Sequence, residues 1–367
     1  MVGKLRSITD GVVSIRRPFD GDGERLIAGR DEAFHRFMGE GSDEPEPAGC
    51  IVVEDQVVGW VDFDADRDWL EPGEVNLGYN VFAEHRGNGY ATRAVKLLLH
   101  HLALTGAASV ATLLIHPDNT HSLALAKRGG FVPHGDLDGN PYWKKPVPPL
   151  AYSDGVVTIR RRELADLDAD LEAKDEQQIR WLWLPWQRQA WAEMTDRQRR
   201  DHAADVLQDN HATFGSGPKW TFTVDAAGVR GAGYVDCDLA NDHVQAGEAN
   251  ISYASHPAHR GNGYASRSVR LVIEFLRDHT GARTADIITE NVNAPSRRVA
   301  RSVGAAAVEH WTTDGGRTMI RHRLNVLDHP MRTDQPTSTP GRARTYIAAG
   351  PASPGSSESS RPVQRRS

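Results

Sequence analysis

The sequence predicts an α/β protein built from two tandem copies of one domain. The first observation is an identity: His-Arg-Gly-Asn-Gly-Tyr-Ala occurs at residues 85–91 and again at residues 259–265. The second is that residues 59–62 (Gly-Trp-Val-Asp) match residues 233–236 (Gly-Tyr-Val-Asp) at the same offset of 174. The third is that short apolar runs alternate with stretches of helical periodicity in each copy. A constant offset over about 70 residues indicates a duplicated domain without insertions there.

The elements of the first copy follow from its apolar pattern. The pattern predicts a strand at Val12–Arg16, a helical region to about Met38, a hairpin of Ile51–Val53 with Val57–Phe63, and a strand at Val75–Val81. After these it predicts a helix at Ala91–Leu104, a strand at Val110–Ile115, a helix at Ser122–Arg128 and a last strand from Tyr142. The first of these two helices places Ala94, Val95, Leu98 and Leu102 on one face.

The second copy repeats this order with an insertion. Residues 10–17 match residues 154–161 at an offset of 144, so about 30 extra residues precede Gly233. The insertion falls in the helical region Glu163–Phe214 and holds four of the nine tryptophans, at positions 181, 183, 186 and 191. Two interpretations remain open: an aromatic pocket for an acceptor molecule, or an apolar interface against the first domain.

Three segments are predicted: a first domain at 1–148, a second domain at 149–328 and a tail at 329–367. The linker is placed at Lys145–Leu150, because its three prolines disfavour both helix and central strand. The tail is rich in Pro, Ser, Thr, Gly and Arg and has almost no large apolar residues. It cannot bury enough surface to offset its ordering entropy, so it is predicted to be disordered.

Composition excludes several classes of protein. With 39% apolar and 25% charged residues, the chain has the usual balance of a soluble globular protein. No run of about 18 apolar residues occurs, which predicts no membrane-spanning helix, and the first residues lack an apolar signal core. Cys50 and Cys237 are too few for a disulfide framework or a zinc site. A cytoplasmic location, no membrane partner and no metal are therefore expected.

The charge is distributed unevenly along the chain. The formal net charge is −6, but residues 329–367 contribute +4 and the rest of the chain −10. A nucleic-acid-binding protein needs clustered lysine and arginine, so no nucleic-acid partner is expected. The acidic remainder is compatible with a cationic substrate such as an amine.

The repeated Gly-Asn-Gly segment predicts an anion-binding loop in each copy. A strand runs into the loop and an amphipathic helix follows, so backbone N–H groups and the helix dipole can both face an anion. The dinucleotide fingerprint fails, because Thr92 stands where its third glycine would be. A P-loop fails as well, since no Gly-Lys-Ser or Gly-Lys-Thr follows.

Arg-x-x-Gly-x-Ala between a strand and a helix resembles the acetyl-CoA loop of the GNAT acetyltransferase superfamily. Residues 78–92 are similar to the branch of ribosomal-protein-alanine N-acetyltransferases, which also acetylate assorted small amines. Asn-x-x-Ser at residues 119–122 and 293–296 resembles the next element of that branch. The resemblance covers nearly all of residues 10–325, in two copies. It implies two tandem GNAT-like domains, each a mixed, mostly antiparallel sheet flanked by helices.

The resemblance also implies acetyl-CoA as co-substrate and a set of contacts to it. The loop backbone would hold the pyrophosphate, while the preceding strand and the Asn-x-x-Ser element would lie beside the pantetheine arm. In the first copy these residues are Val81, Arg86, Gly87, Asn88, Gly89, Tyr90, Ala91, Asn119 and Ser122. In the second copy they are Ser255, Arg260, Gly261, Asn262, Gly263, Tyr264, Ala265, Asn293 and Ser296. Both loops are intact, so both copies are expected to bind acetyl-CoA.

Catalysis requires a base, because an amine attacks a thioester only in its neutral form. Glu74 and Glu248 begin the strand that leads to the thioester and are the favoured candidates; the alternative for both is a solvated carboxylate at a strand end. Tyr79 and Tyr253 are further catalytic candidates, with packing or a substrate wall as the alternative.

Two departures from the family pattern bear on function. Many members carry a tyrosine four residues before the helix-ending glycine, as a proton donor to the leaving thiolate, whereas this chain has Ala126 and Ala300. The branch usually has glutamate three residues after the tyrosine of the loop, whereas this chain has Arg93 and Arg267.

The function predicted is acetyl transfer from acetyl-CoA to a primary amine of a small molecule, an antibiotic or a peptide N-terminus. The second copy is favoured for turnover because its longer helical region offers more acceptor contacts. Two alternatives stay open: a non-catalytic acyl-CoA sensor or scaffold, and transfer of a longer acyl group. The two domains are expected to pack together in a monomer or a homodimer.

Overall fold

Both copies fold in the same way, as an eight-stranded sheet flanked by helices. The computed structural model describes residues 5–328, and the predicted tail at 329–367 lies outside these described residues. The first sheet contains strands from residues 8–146 and the second contains strands from residues 152–325. The predicted domain boundary at 148/149 falls between the two sheets and stays a prediction.

The first copy contains eight strands and four helices. The strands are β1 (Ile8–Thr9), β2 (Ser14–Arg16), β3 (Gly49–Val53), β4 (Gln56–Asp64), β5 (Glu74–Val81), β6 (Val110–Leu114), β7 (Val132–Leu137) and β8 (Asn140–Pro146). The helices are α1 (Asp22–Ala28), α2 (Glu32–Met38), α3 (Tyr90–Thr105) and α4 (Thr120–Arg128). The strand order is β1-β2-β3-β4-β5-β6-β8-β7.

The second copy contains the same strands and two additional helices. Its strands are β9 (Tyr152–Ser153), β10 (Val157–Arg161), β11 (Lys219–Ala226), β12 (Val229–Asp238), β13 (Glu248–Ser255), β14 (Thr284–Glu290), β15 (Ala306–Thr312) and β16 (Thr318–Asn325). Its helices are α5 (Leu167–Glu172), α6 (Glu176–Leu182), α7 (Pro185–Glu193), α8 (Asp196–Thr213), α9 (Tyr264–His279) and α10 (Ala294–Ser302). Short 3₁₀ turns lie at residues 83–85, 164–166 and 257–259.

One parallel strand pair in each sheet separates this fold from a simple meander. β5 runs parallel to β6 and β13 runs parallel to β14, while the other described neighbours are antiparallel. The predicted fold class, a mixed and mostly antiparallel sheet with flanking helices in each of two copies, is confirmed. A parallel pair needs a crossover connection, and α3 and α9 supply it.

The parallel strands separate soon after they meet. β13 pairs with β14 only from Glu248 to Asn250, although it continues to Ser255. β5 likewise pairs with β6 only from Glu74 to Asn76. Beyond these residues one edge of β13 and of β5 carries backbone groups without a strand partner. This opening in the sheet leads directly to the Gly-Asn-Gly segment of each copy.

The predicted core of the first copy is confirmed. Ala94, Val95, Leu98 and Leu102 of α3 are all buried against the sheet. Polar residues of α3 are buried as well, including Lys96 and His100, which the one-sided pattern of the helix did not predict. They are buried because a second helix, α9, packs along the other side of α3.

The α3–α9 contact holds the two copies together. The Lys96 ammonium donates to the carbonyl oxygens of Arg277 (2.5 Å) and Thr280 (2.8 Å). The Nδ1 atoms of His100 and His279 lie 2.9 Å apart. Burial lowers the pKa of Lys96 to about 8 and that of His279 to about 3, so the imidazole of His279 is neutral. The predicted packing of the two copies against each other therefore uses polar as well as apolar contacts.

Two details of the sequence prediction are corrected. β7 was not predicted, because its residues are mostly exposed and include Pro133 and Gly135, which give no alternating apolar pattern. Lys145 and Pro146 were assigned to the linker but belong to β8. Pro146 is tolerated there because it is the last residue of the strand.

No helix within residues 5–328 is long and apolar enough to cross a membrane. In the same part of the chain, no group of three His, Cys, Asp or Glu side chains is arranged to hold a metal ion.

Candidate active site

Each copy presents a glycine loop, residues 86–91 in the first and 260–265 in the second, where the separated strand ends. Gly261 and Gly263 have positive φ angles of 80° and 75°, and a Cβ added at either would meet nothing within 4 Å. Gly263 caps α9 with no side-chain hydrogen bond to the helix. The first N–H groups of α9 are thus left for an external anion. Gly87 and Gly89 repeat this geometry, with φ angles of 84° and 78°.

The asparagine and arginine side chains of the loops have structural partners. Asn88 and Asn262 donate to the carbonyl oxygens of His85 (3.1 Å) and His259 (3.2 Å), which fixes the turn. The guanidinium of Arg260 donates to both carboxylate oxygens of Asp175 at 2.6 and 2.7 Å.

Arg86 makes the same paired contact with Asp31, at 2.7 and 2.9 Å. The carboxylate partners Asp31 and Asp175 cap α2 and α6. These arginines therefore tie each glycine loop to a helix, which we call the lid helix, and what the loop offers an anion is its backbone.

The Asn-x-x-Ser elements form helix caps. The side chains of Asn119 and Asn293 accept from the backbone N–H of Ser122 (3.1 Å) and Ser296 (3.2 Å), which starts α4 and α10. This arrangement explains the spacing of three residues, since an N-cap side chain bonds to the third helical residue. Asn293 and Ser296 both line the cavity described next.

A cavity of about 670 Å³ lies in the second copy, where the glycine loop, the open edge of β13 and the lid helix α6 meet. The lid helix contributes Gln178, Trp181 and Leu182 to its wall. The sheet contributes residues 250–255 and 287–290, and the helices contribute 264–266, Asn293, Pro295, Ser296, Arg298, Val299 and Ser302. His243, Arg317 and Met319 complete the outer wall.

The tryptophans of the insertion divide between two roles. Trp181 lines the cavity, as the pocket interpretation predicts. Trp183 and Trp191 pack edge to face within the insertion, with ring centroids 5.2 Å apart, and Trp186 is 66% exposed. The interface between the copies is built instead around α3 and α9.

The charged side chains at the cavity favour an anionic ligand. Arg260, Arg298 and Arg317 line it, against the single carboxylate of Glu290 among the described lining residues. That carboxylate accepts hydrogen bonds from Arg317 at 2.8 and 3.0 Å and is therefore neutralised. Although the chain as a whole is acidic, this site is basic.

In the first copy the lid helix is bound at both ends. Besides the pairing of Asp31 at its start, Arg36 forms an ion pair with Asp118 at 2.6 Å, and the Phe37 ring lies 5.5 Å from the ring of His116. His116 and Asp118 follow β6, whereas the glycine loop follows β5. α2 therefore spans the gap between the separated strands.

The second copy lacks this closure. Arg180, at the position of Arg36, stacks on the ring of Trp181 at 4.9 Å, and Val292 stands at the position of Asp118. Glu290, at the position of His116, turns to Arg317. The lid helix α6 is consequently tied to the glycine loop but not to the turn after β14, and the cavity lies between them.

The two candidate tyrosines lie at the same place in each copy but differ in their partners. The Tyr253 hydroxyl lies 2.8 Å from the Ser296 Oγ and donates to the Ser296 carbonyl at 3.1 Å, and its ring lines the cavity. Burial raises the pKa of Tyr253 to about 12. The Tyr79 hydroxyl is buried and makes no well-formed hydrogen bond to the described residues, although Ser122, at the position of Ser296, opposes the rise that burial causes in the pKa of Tyr79.

Glu74 and Glu248 form equivalent ion pairs, each within its own copy. Glu74 contacts the Lys144 ammonium at 2.6 Å, and Glu248 contacts the Arg323 guanidinium at 2.8 Å. Burial opposes ionisation of Glu74, but Lys144 and further hydrogen bonds hold the pKa of that carboxyl below its usual range. Both residues start their strands where the parallel pair is still closed, and Glu248 is not among the residues lining the cavity of the second copy. Their role as bases stays a prediction, without support from this geometry.

The arginines that replace the glutamate of the branch are structural. Arg93 forms an ion pair with Asp10 at 2.6 Å, and Arg267 forms one with Asp154 at 2.7 Å. Asp10 and Asp154 are themselves matching residues of the repeat, each in the turn before the strand of its hairpin. In both copies the arginine therefore anchors the crossover helix to the start of the domain.

Gln178 and His243 are among the cavity residues that sequence reasoning missed. A signal existed for Gln178: the offset of 144 continues to residue 182, so α6 matches α2 and the true insertion is α7 with α8. His243 matches Trp69 at the offset of 174, and the change of residue type was the available signal.

A family model described as an acetyltransferase (GNAT) domain matches residues 20–132 and 157–306. These two segments make up more than half of the chain and include both glycine loops. The chain belongs to the GNAT acetyltransferase family. The resemblance stated from the glycine loops is thereby confirmed, as is the tandem arrangement of two GNAT domains.

One curated relative of this GNAT protein is a ribosomal-protein-serine acetyltransferase of Escherichia coli (strain K12). It is 30% identical over 87 residues, which are 24% of this chain and 48% of the relative. The chain thus spans about half the length of the curated relative it matches.

Solved structures match parts of the chain. Mycobacterium smegmatis RimJ in complex with CoA-disulfide is 17% identical, with a TM-score of 0.41, over 48% of this chain and 85% of that chain. An acetyltransferase of the GNAT family from Bacillus anthracis is 13% identical, with a TM-score of 0.39, over 48% of this chain and 99% of that chain.

Proposed function

We propose that this protein transfers an acetyl group from acetyl-CoA to a primary amine, and that the second copy performs the transfer. The observation that carries the proposal is the cavity in which the glycine loop, the unpaired edge of β13 and the lid helix α6 meet. A thioester held along β13 would reach the same space as an amine entering beneath α6. Membership of an acetyltransferase family supports the reaction class.

The residues present fit acetyl-CoA. Backbone N–H groups at residues 260–265 and the start of α9 would hold the pyrophosphate, since the glycines leave the space above them open. The unpaired edge of β13 between Ser252 and Ser255 would bind the pantetheine amides as a neighbouring strand does. Arg298 is the lining cation placed to meet a phosphate, since Arg260 and Arg317 are paired with carboxylates.

Acetyl transfer needs three things from the protein: stabilisation of the oxyanion, a proton donor for the thiolate and a proton acceptor for the amine. A backbone N–H of β13 beyond Asn250 would stabilise the oxyanion that forms when the amine attacks the carbonyl carbon. Tyr253 would donate its hydroxyl proton to the leaving thiolate. It would take the place of the family's tyrosine, whose position is occupied here by Ala300. The Ser296 hydroxyl would orient that of Tyr253. His243, an imidazole on the cavity wall, would take the proton that the amine loses.

The first copy differs at each of these points and is proposed to be structural. Its lid helix is closed over the strand gap by Arg36–Asp118 and Phe37–His116. Trp69 replaces His243, and the Tyr79 hydroxyl is less well hydrogen-bonded than that of Tyr253. We therefore propose one acetyl-CoA site per chain.

The acceptor is proposed to be a small amine or a peptide N-terminus. The name of the Escherichia coli relative specifies a ribosomal protein as its acceptor, which makes the peptide N-terminus a specific candidate. Both cysteines are buried and free, which fits a reducing compartment such as the cytoplasm.

Release of free CoA from acetyl-CoA, measured with a panel of primary amines and N-terminal peptides, tests the proposal. The expected result is release that depends on one class of amine, with the acetylated amine detected by mass spectrometry. Binding of acetyl-CoA without amine-dependent release across the panel would instead support a non-catalytic acyl-CoA sensor.

A further inference from the structure

The cavity wall of the second copy contains two buried side-chain oxygens that have no hydrogen-bond partner among the described residues. Gln178 is 6% exposed, and its Oε1 is buried and unpartnered. The Oδ1 of Asn250 is likewise buried and unpartnered, while its amide nitrogen donates to the Ser252 hydroxyl at 3.3 Å. Both residues line the cavity, Gln178 from the lid helix and Asn250 from the point where the strands separate.

A buried polar group that lacks a hydrogen-bond partner lowers the stability of the folded state. Packing of the lid helix does not require a polar side chain here, because the matching residue in the first copy is Phe34, an apolar side chain of α2 that is also buried. Buried acceptors that remain unpaired in a protein usually meet a donor from water or a ligand. An N–H or O–H group of a ligand in the cavity would satisfy the Gln178 Oε1.

The surroundings of Gln178 define the rest of the ligand. Trp181, Leu182 and Met319 give the cavity an aromatic and apolar wall. The carboxylate of Glu290 is already paired with Arg317. The described lining residues therefore include no unpaired carboxylate that could bind a second positive charge of an acceptor. A polycationic acceptor would find no counter-charge there, whereas an apolar amine would be buried favourably.

We propose that the acceptor is an amine with an aromatic or apolar body that carries a further N–H or O–H donor, and that Gln178 selects it through this donor. The inference rests on the proposed function for taking this cavity as the acceptor site. Asn250, at the point where the thioester would end, would accept from the reacting amine itself. Gln178, on the lid helix α6, would accept a hydrogen bond from the second donor of the acceptor molecule.

Calorimetric titration of three amines into the CoA-loaded full-length protein tests this inference without requiring turnover. L-Phenylalaninamide carries an aromatic body and a second donor, phenethylamine lacks the second donor, and spermidine is a polycation. The wild type should bind phenylalaninamide about tenfold more tightly than phenethylamine, which corresponds to the loss of one satisfied hydrogen bond. Spermidine should bind most weakly.

Two variants separate recognition from folding. Gln178→Met keeps the length of the side chain and removes its polar atoms, so the tenfold preference should disappear. The melting temperature of the ligand-free variant should rise by about 1–3 °C, because an unsatisfied buried group is removed. Gln189→Met, on the exposed face of α7, should change neither quantity.

Three results would overturn the inference: equal binding of the two aromatic amines, preferential binding of spermidine, or an unchanged preference in Gln178→Met. Failure of every amine to bind the CoA-loaded protein would overturn it as well. If phenylalaninamide binds as expected but no amine-dependent CoA release occurs, the proposed function fails and the assignment of Gln178 as the donor-reading residue stands.

Discussion

A histidine stands at the cavity of the second copy where the first copy has a tryptophan. His243 lines the cavity, and its ring lies 6.2 Å from that of Trp311. Trp69 in the first copy packs edge to face on Tyr142, with centroids 5.2 Å apart. A tryptophan cannot accept a proton, so only the second copy has a side chain suited to this step at that position.

His243→Gln is predicted to lower kcat about 100-fold, because the group that takes the proton from the amine is gone. The measurement is kcat with the best amine of the panel. His121→Gln, at an exposed histidine of α4, serves as the control and should leave kcat unchanged. An unaltered rate in His243→Gln would assign the proton transfer to another group.

Tyr253 and Tyr79 form a matched pair for a second prediction. Tyr253→Phe should lower kcat about tenfold or more, because the leaving thiolate loses its proton donor. Tyr79→Phe should leave the rate unchanged, because Tyr79 lies in the copy that is proposed to be structural. Equal rate losses in both variants would show that the tyrosines act through packing.

At the scale of elements, the lid helices decide which copy is open. α2 is bound at both ends, by Arg86–Asp31 and by Arg36–Asp118 with Phe37–His116. The Arg36–Asp118 pair is exposed and contributes little energy by itself, so the aromatic contact is needed to hold the helix down.

Arg36→Ala combined with Phe37→Ala is predicted to free the end of α2 and to open the gap between β5 and β6. Titration with CoA should then give a second, weaker site in addition to the first. The matched variant Arg180→Ala in the second copy should not add a site, because Arg180 does not hold α6 to the turn after β14. A stoichiometry of one in the double variant would mean that α2 is not what closes the first copy.

At the scale of the whole molecule, the contact between the copies depends on neutral histidines. Burial lowers the pKa of His279 to about 3, below the ordinary value of about 6.5 that the unfolded chain retains. Its contribution to stability is complete above pH 6.5 and is lost as the pH falls below that value, because the unfolded chain takes up the proton first. Lys96 and His100 face it from α3, and Lys145 faces it from β8.

The free energy of unfolding should therefore fall by about 1 kcal/mol between pH 7 and pH 5.5 on account of His279 alone. Urea unfolding of the wild type and of His279→Gln at both pH values measures this contribution. The variant should lose less stability over the interval than the wild type, and His121→Gln should behave as the wild type does. Equal losses in all three proteins would exclude His279 as the source.

The sequence predicted the elements that carry strong periodicity or repetition. The crossover helix Tyr90–Thr105, the strand before it and the glycine loop were recognised from apolar spacing and from exact recurrence. The strand Val132–Leu137 was missed because its exposed residues alternate in no apolar pattern. The spacing of apolar residues indicates which face of an element is buried, and β7 buries almost none of its residues.

The candidate site was less predictable because it depends on pairings between distant residues. Glu74 and Glu248 are favoured as bases by their place at the start of the strand that leads to the thioester, but they form ion pairs with Lys144 and Arg323, on strands that lie far along the chain. The closure of the first copy is likewise a contact between Arg36 and Asp118, residues that no periodicity connects. Comparison of the two copies at matching positions is what distinguishes them.

Titration of CoA into the full-length protein, its Gly263→Val and Gly89→Val variants, and a Gly228→Val control tests the central claim most directly. All three glycines have positive φ and open space at the Cβ position, so the variants carry similar strain, but Gly228 lies in the hairpin between β11 and β12, away from both loops. The account predicts one CoA per chain, lost in Gly263→Val and retained in Gly89→Val and Gly228→Val. A single site lost in Gly89→Val and retained in Gly263→Val would contradict it.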